Sequence, residues 1–236
     1  MIKTLIFALL ISLSSSQAFS SSDSLTGMWP LNEAVIANYE YYNQVSESDI
    51  EKFIKVSNKK IDNLKARSLA ESIISASSCY QIDPVYLTAL IKKESMFVTK
   101  AKSSTGAAGL TQMTGSGLKE LKDQLGVRGN KYARKSNIQY FNSTTKRCLG
   151  VEWNEFEDLF FNKSNMAIKN ALYKSPKFSI YAGALLLKVY LSNATRSCRS
   201  CDTSVIYKRA LEQYNGDTNK AYYALKIESY VKEWMK

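Results

Sequence analysis

The sequence predicts an all-α fold, and three observations carry the prediction. Only 3 prolines and 10 glycines punctuate 236 residues. Apolar residues recur at spacings of three and four through most of the chain, the period of a helix with one buried face. No run alternates apolar and polar residues in the way a half-buried strand requires. At 45% hydrophobic residues the chain has enough apolar side chain for a core.

Taken in order, Met1, Ile2 and Lys3 form a short charged start, residues 5–13 an apolar core, and Ala18-Phe19-Ser20 a small-residue cleavage pattern. Residues 1–20 therefore read as a signal peptide cut near Ser20, and the mature chain as periplasmic or secreted. The apolar core is too short to cross a bilayer, which takes about 20 residues, so no stable membrane insertion is expected. No cysteine stands at the cleavage point to take a lipid. Residues 21–60 form an N-terminal extension, rich in Tyr, Asn and Ser from 31 onward, that either packs on the rest or stands as a mobile arm. Residues 61–236 make the main domain.

Helical spacing covers 48–56, 61–78, 178–192, 204–214 and 218–235. In the last of these, Tyr222, Leu225, Tyr230 and Trp234 make an approximate buried stripe. A further helix opens at Asp83, a good N-cap, followed by Pro84 at a position that needs no amide donor. Between about 125 and 175 lies a polar stretch with Arg128, Lys131, Arg134, Lys135, Lys146 and Arg147. Glu155, Glu157, Asp158 and an aromatic group (Trp153, Phe156, Phe160, Phe161) come after them. Such a segment suits a cleft wall or a small extra helical unit.

The most informative residue is Glu94. Leu87, Leu90, Ile91 and Glu94 share one helix face, so the carboxylate points where the leucines point, while Lys92 and Lys93 are expected in water. A carboxylate facing the interior is disfavoured in its charged form, which raises its pKa toward what a general acid needs. An arbitrary glutamate at a helix end more often snorkels or pairs with a lysine, here Lys92, Lys93 or Lys100. The next segment of chain shifts the balance. Gly106, Ala107, Ala108 and Gly109, then Gly115 and Gly117, permit tight turns and close approach of a ligand to backbone. The loop is no phosphate loop, because the lysine-serine/threonine ending is missing.

The run Glu94-Ser95-Met96-Phe97, Ala101, Ser103, Gly106-Ala107-Ala108-Gly109-Leu110-Thr111-Gln112 resembles the catalytic block of the soluble lytic transglycosylases, goose-lysozyme-like enzymes of bacterial cell-wall glycan. Residues 179–187 and 210–216 resemble two later blocks of that family, with Ser179 in place of asparagine and an alanine missing before Gly216. Two departures stand out: Thr114-Gly115 where the family places a proline, and the stretch at 125–175, shorter in typical members.

The resemblance implies a lysozyme-like helical domain and Glu94 as the single catalytic acid and base. It places Ser95 and Gln112 along the cleft, Ser103 at the sugar near the scissile bond, and Met113 and Asn215 among the substrate-binding residues. It makes Tyr214 the hydrogen-bond partner of the catalytic carboxylate. It implies peptidoglycan strands as partner, with no cofactor and no metal. Plainer roles stand beside these: Tyr214 is one of 15 tyrosines, Asn215-Gly216 is a helix-ending turn, and Ser103 is a turn-former.

Composition excludes other chemistry. There is no histidine, hence no Ser-His or Cys-His nucleophile. Cys198 and Cys201 lack the further ligands that a zinc site would need. In an exported chain the four cysteines favour disulfides, and Cys79, Cys148, Cys198 and Cys201 allow three pairings. The net charge is +11; losing Lys3 with the leader leaves +10, suited to anionic wall polymers. No nucleic-acid motif accompanies it. The rival readings are a hydrolytic muramidase, a non-catalytic wall-binding protein, and a basic effector acting on membranes.

Overall fold

In the computed structural model, which describes residues 44–216 and 219–234, the expected helices form, and the reasons are visible at their ends. Helix α1 (Glu47–Ser57) opens on a capping box in which Ser46 and Asp49 satisfy each other's backbone amides. Helix α2 (Asn63–Tyr80) is capped by Asp62, and α3 (Pro84–Ser95) by Asp83 with Pro84 at its first position. After a loop, α4 (Gly115–Gln124) starts at Thr114, whose side chain accepts from Gly117 N. The residue that stands in place of the family's proline is thus a helix cap. Then come α5 (Lys135–Leu149), α6 (Trp153–Asn162) and α7 (Asn165–Lys174). The 22-residue α8 (Pro176–Ser197) is followed by α9 (Thr203–Asn215) and α10 (Lys220–Trp234). Among the described residues the extended pairing is confined to two single-residue bridges, Lys102 with Ala108 and Ala108 with Met113. The fold is all-α, as the spacing predicts.

Two helices are buried almost all round and form the centre. In α8 every residue from Phe178 to Val189 is buried, and the helix packs against α2, α4, α7 and α9. In α3 every residue from Pro84 to Ile91 is buried, and the helix is covered by α10, α2 and α1. The N-terminal segment from 47 to 57 is accordingly packed on the main domain; residues 1–43, with the expected leader, lie outside the described residues.

The polar stretch makes an extra helical unit. Phe156 lies edge-on to Phe178 of α8 at 5.7 Å and beside Phe160 at 4.6 Å, with Trp153 at 6.3 Å. Phe161, expected in this cluster, is exposed instead, because it faces away from α8. The last helix also departs from expectation. Tyr222 and Leu225 are exposed, while Tyr223, Ala224, Ile227 and Val231 form the buried stripe, one residue out of phase with the expected one.

Of the three possible cysteine pairings, the structure has Cys79–Cys148 and Cys198–Cys201. The first closes 69 residues and ties α2 to α5; in the chain-entropy model such a loop contributes about 4 kcal/mol. The second closes a turn of three and contributes about 1.5 kcal/mol, firming the corner between α8 and α9.

Gly183 in α8 is where the loop after α3 rests on the core. A Cβ there would sit 2.5 Å from the Cβ of Thr111, which is itself fully buried. Gly183→Ala must push that loop away, a small-to-large change that costs about 1–3 kcal/mol. The expected outcome is a thermal midpoint lowered by roughly 2–12 °C, read by circular dichroism; an unchanged midpoint would mean that the contact is not made.

Candidate functional site

Helix α3 carries Glu94 at its penultimate position, and the turn beyond it is strained. Met96 caps the helix with φ +50°, and Phe97 also has positive φ, +61°. Consecutive left-handed residues other than glycine persist only where the surroundings hold them. Here Phe97 is buried edge-on to Phe53 of α1 at 6.5 Å, and Asn58 Nδ2 donates to the Met96 carbonyl at 3.0 Å. The N-terminal helix therefore braces the turn that ends the glutamate's helix.

Glu94 is itself half-buried, and the Tyr223 hydroxyl of α10 donates to its Oε1. Burial raises the carboxyl's pKa above the ordinary value; the Tyr223 hydrogen bond and the Lys93 ammonium pull it back in part. Tyr223 is buried, and that burial with the nearby Glu94 charge holds its pKa well above the usual phenol, so it remains a donor. Helix α10 is fastened in turn. Lys92 Nζ pairs with Glu233 at 2.8 Å and lies over the rings of Phe53 (4.6 Å) and Tyr230 (4.3 Å). Trp234 packs on Phe53 at 4.9 Å. Lys92, expected in water, has a side chain only 12% exposed, because the last helix covers it.

The loop 101–113 is joined to the surroundings of this carboxylate through Tyr214 of α9. It is held by its own polar groups. Gln112, at φ +45°, donates Nε2 to the carbonyls of Ala101 (3.1 Å) and Gly109 (2.8 Å). Ser103 Oγ accepts from Ala107 N at 2.9 Å and bonds Thr105 Oγ1. Thr111 Oγ1 donates to the Ser179 carbonyl at 3.0 Å, and Thr111 N donates to Ser179 Oγ at 3.4 Å. Gly109, at φ +79°, admits no side chain, since a Cβ would sit 2.5 Å from Ser179 Oγ. Ser179, where the family resemblance had asparagine, is thus the peg on which the loop hangs.

The expected site residues separate into two groups. Glu94 and Tyr214 are near each other, for the Glu94 charge contributes to the raised pKa of Tyr214 after burial. The tyrosine bonded to Glu94, however, is Tyr223. Tyr214 donates to the Thr111 carbonyl at 3.0 Å, the acceptor that the buried loop brings to it, and its ring meets Tyr190 edge-on at 6.2 Å. Ser95 is buried and its hydroxyl donates back to Ile91 O at 3.1 Å, so it offers no free group to a cleft. Met113 is 1% exposed and belongs to the core. Gln112 and Ser103 spend their side chains on the loop's own backbone, and Asn215 ends α9 before Gly216.

Tyr223 is the residue that sequence reasoning missed; the signal was its place on the true buried stripe of the last helix. Among the described residues no group of His, Cys, Asp and Glu is arranged to hold a metal ion, and no helix is long and apolar enough to cross a membrane.

Against known proteins, residues 71–149 match the family model described as Transglycosylase SLT domain. The match runs from within α2 to the end of α5 and contains Glu94 and the loop, but neither Tyr214 nor Tyr223. The chain matches no curated protein and no solved structure.

The raised pKa of Glu94 makes a signed statement about stability. Between its unfolded and folded values the native state holds more protons, so stability falls as pH rises through that window. Glu94→Gln removes this loss. Relative to wild type, the variant is expected to gain thermal stability as pH rises from about 4 toward neutrality, with no further gain above the folded pKa. Melting curves of both proteins over pH 4–9 test it; a difference independent of pH would contradict the burial.

Proposed function

We propose that this chain, a member of the soluble lytic transglycosylase family by its Transglycosylase SLT domain at residues 71–149, is a peptidoglycan lytic transglycosylase that uses Glu94 as its single acid and base. The observation that carries the reading is a glutamic acid with raised proton affinity, fixed by a tyrosine hydroxyl beside a glycine-rich loop. Such a group is protonated where an ordinary carboxylate is not, which is what donation to a glycosidic oxygen requires.

In this reading Glu94 protonates the oxygen of the β-1,4 bond between N-acetylmuramic acid and N-acetylglucosamine. The bond from the muramic C1 breaks and the N-acetylglucosamine end leaves as an alcohol. The muramic C6 hydroxyl then closes on C1, and its proton returns to the Glu94 carboxylate. The product is a 1,6-anhydro sugar, and no water is consumed. Tyr223 holds the carboxylate in place in both protonation states and supports the anion between the two steps.

The alternative is hydrolysis, which in the usual scheme needs a second carboxyl within about 5–9.5 Å. Asp83, at the other end of α3, lies eleven residues and so about 16 Å from Glu94. Asp123 is engaged by Arg128 at 2.5 Å. One observation favours keeping the hydrolytic reading: the pKa of Tyr190, whose ring is next to Tyr214, is raised by burial and then by the charge of Glu120 on α4. Glu120 also accepts from Gln124 Nε2 at 3.0 Å, a local role. An exported location, periplasmic or secreted, completes the proposal, and the two disulfides suit such an oxidising compartment.

Digestion of purified peptidoglycan, with soluble products weighed by mass spectrometry, tests the reading. Products lighter by one water than hydrolysis products are expected. Glu94→Gln should lower turnover by about 10²–10⁴-fold, whereas Glu120→Gln should leave the products and the rate nearly unchanged. Reducing ends that vanish in Glu120→Gln would make the protein a muramidase. Intact glycan with every protein would leave a wall-binding role.

A further inference from the structure

The glycine-rich loop that Tyr214 joins to the surroundings of Glu94 has a second side. There Lys102, Gly106, Ala108 and Gly115 form one wall of a cavity of about 580 Å³, and α7 forms the other with Asn165, Met166, Lys169, Asn170 and Tyr173. That volume lies within the range of small-ligand sites, roughly 300–1,000 Å³. The wall on α7 falls outside the residues matched by the family model, so half of this cavity is peculiar to the extra helical unit.

Its chemistry is one-sided. Two ammonium groups, two amides and a phenol line it, and no carboxylate does. Among the described residues neither Lys102 nor Lys169 is in an ion pair. Lys169 is preorganised: its Nζ donates to the Gly106 carbonyl at 2.8 Å, which fastens α7 to the loop and leaves two N–H donors for a guest. Met166, 75% exposed, and Tyr173 add apolar surface beside these donors. A guest that satisfies such walls carries at least one carboxylate, several carbonyl acceptors and short aliphatic groups. That is the description of a short acidic peptide.

Resting on the transglycosylase reading, we propose that this cavity binds the carboxylate-bearing peptide that branches from the muramic residue of the glycan. The loop is shared: its Thr111 carbonyl is bonded to Tyr214, which lies near Glu94, while Lys102 and the Gly106–Lys169 link are presented to the branch. The extra helical unit then sets which strands are accepted, favouring peptide-bearing glycan over bare glycan.

The test separates this from the catalytic proposal by measuring binding to the Glu94→Gln protein, which need not turn over. Titration calorimetry would compare a disaccharide carrying its tetrapeptide with the same disaccharide after the peptide is removed by an amidase. The peptide-bearing fragment is expected to bind about tenfold more tightly. Lys102→Glu and Asn170→Asp, both at exposed positions on opposite walls, should each remove that preference while melting like the parent. Equal affinity for the two fragments would overturn the proposal, as would a preference that survives both substitutions. Displacement of the peptide fragment by millimolar inorganic phosphate would also overturn it, since the cavity would then be a general anion site. Cleavage of bare glycan by the wild-type chain reports separately on the enzyme itself.

Discussion

Taking a carboxylate out of water costs free energy unless a donor replaces the lost hydration. Glu94 is held in that condition by one hydroxyl, from Tyr223, and much of the molecule serves to bring that hydroxyl to it. The two residues lie 129 positions apart, on α3 and α10. Their meeting depends on the last helix being laid along α3, which the Lys92–Glu233 pair and the packing of Trp234 on Phe53 accomplish. Phe53 belongs to α1, so the N-terminal helix takes part in positioning the acid although it lies before the matched domain. The Lys92–Glu233 pair is partly exposed at the Glu233 end and contributes modestly alone. Its value is in direction, together with two rings that the ammonium also touches.

The second constraint is the seating of the loop. Thr111 makes contact on three sides: to Ser179, to the face of Gly183, and through its carbonyl to Tyr214. One buried threonine thereby joins α8, α9 and the loop. The strain at Met96, Phe97 and Gln112 sits on either side of this arrangement. Two of the four non-glycine residues with positive φ among those described, Met96 and Phe97, follow the candidate acid within three positions. Such backbone endures where the packing around it is rigid; α1 supplies that rigidity at Met96 and Phe97, and α8 supplies it to the loop that carries Gln112.

Much of this was legible in the sequence, and for identifiable reasons. Caps and spacing are local, so Asp83-Pro84 announces α3, and the Leu87, Leu90, Ile91, Glu94 face turns inward as the period requires. The partner of Glu94 was not legible. The last helix carries aromatic and aliphatic residues over much of its circumference, and Tyr222 and Tyr223 are adjacent, so periodicity alone supports two phases; tertiary contacts of Lys92 and Phe53 choose between them. The local bonding of Ser103 and Gln112 was not legible for a different reason. A tight glycine-rich loop leaves backbone groups unpaired, and the nearest polar side chains satisfy them before any ligand arrives. The Cys79–Cys148 pairing, set by long-range folding, also lay beyond the sequence.

The central claim is that Glu94 is a half-buried acid governed by Tyr223. It is tested most directly by titrating the side-chain carboxyl carbons of ¹³C-labelled glutamate by NMR, with the Glu94 signal identified by its loss in Glu94→Gln. The account predicts that Glu94 titrates at higher pH than the exposed glutamates. In Tyr223→Phe it should titrate higher still, because the hydrogen bond that favours the anion is gone. A Glu94 that titrates with the exposed glutamates, or one indifferent to Tyr223→Phe, would contradict it.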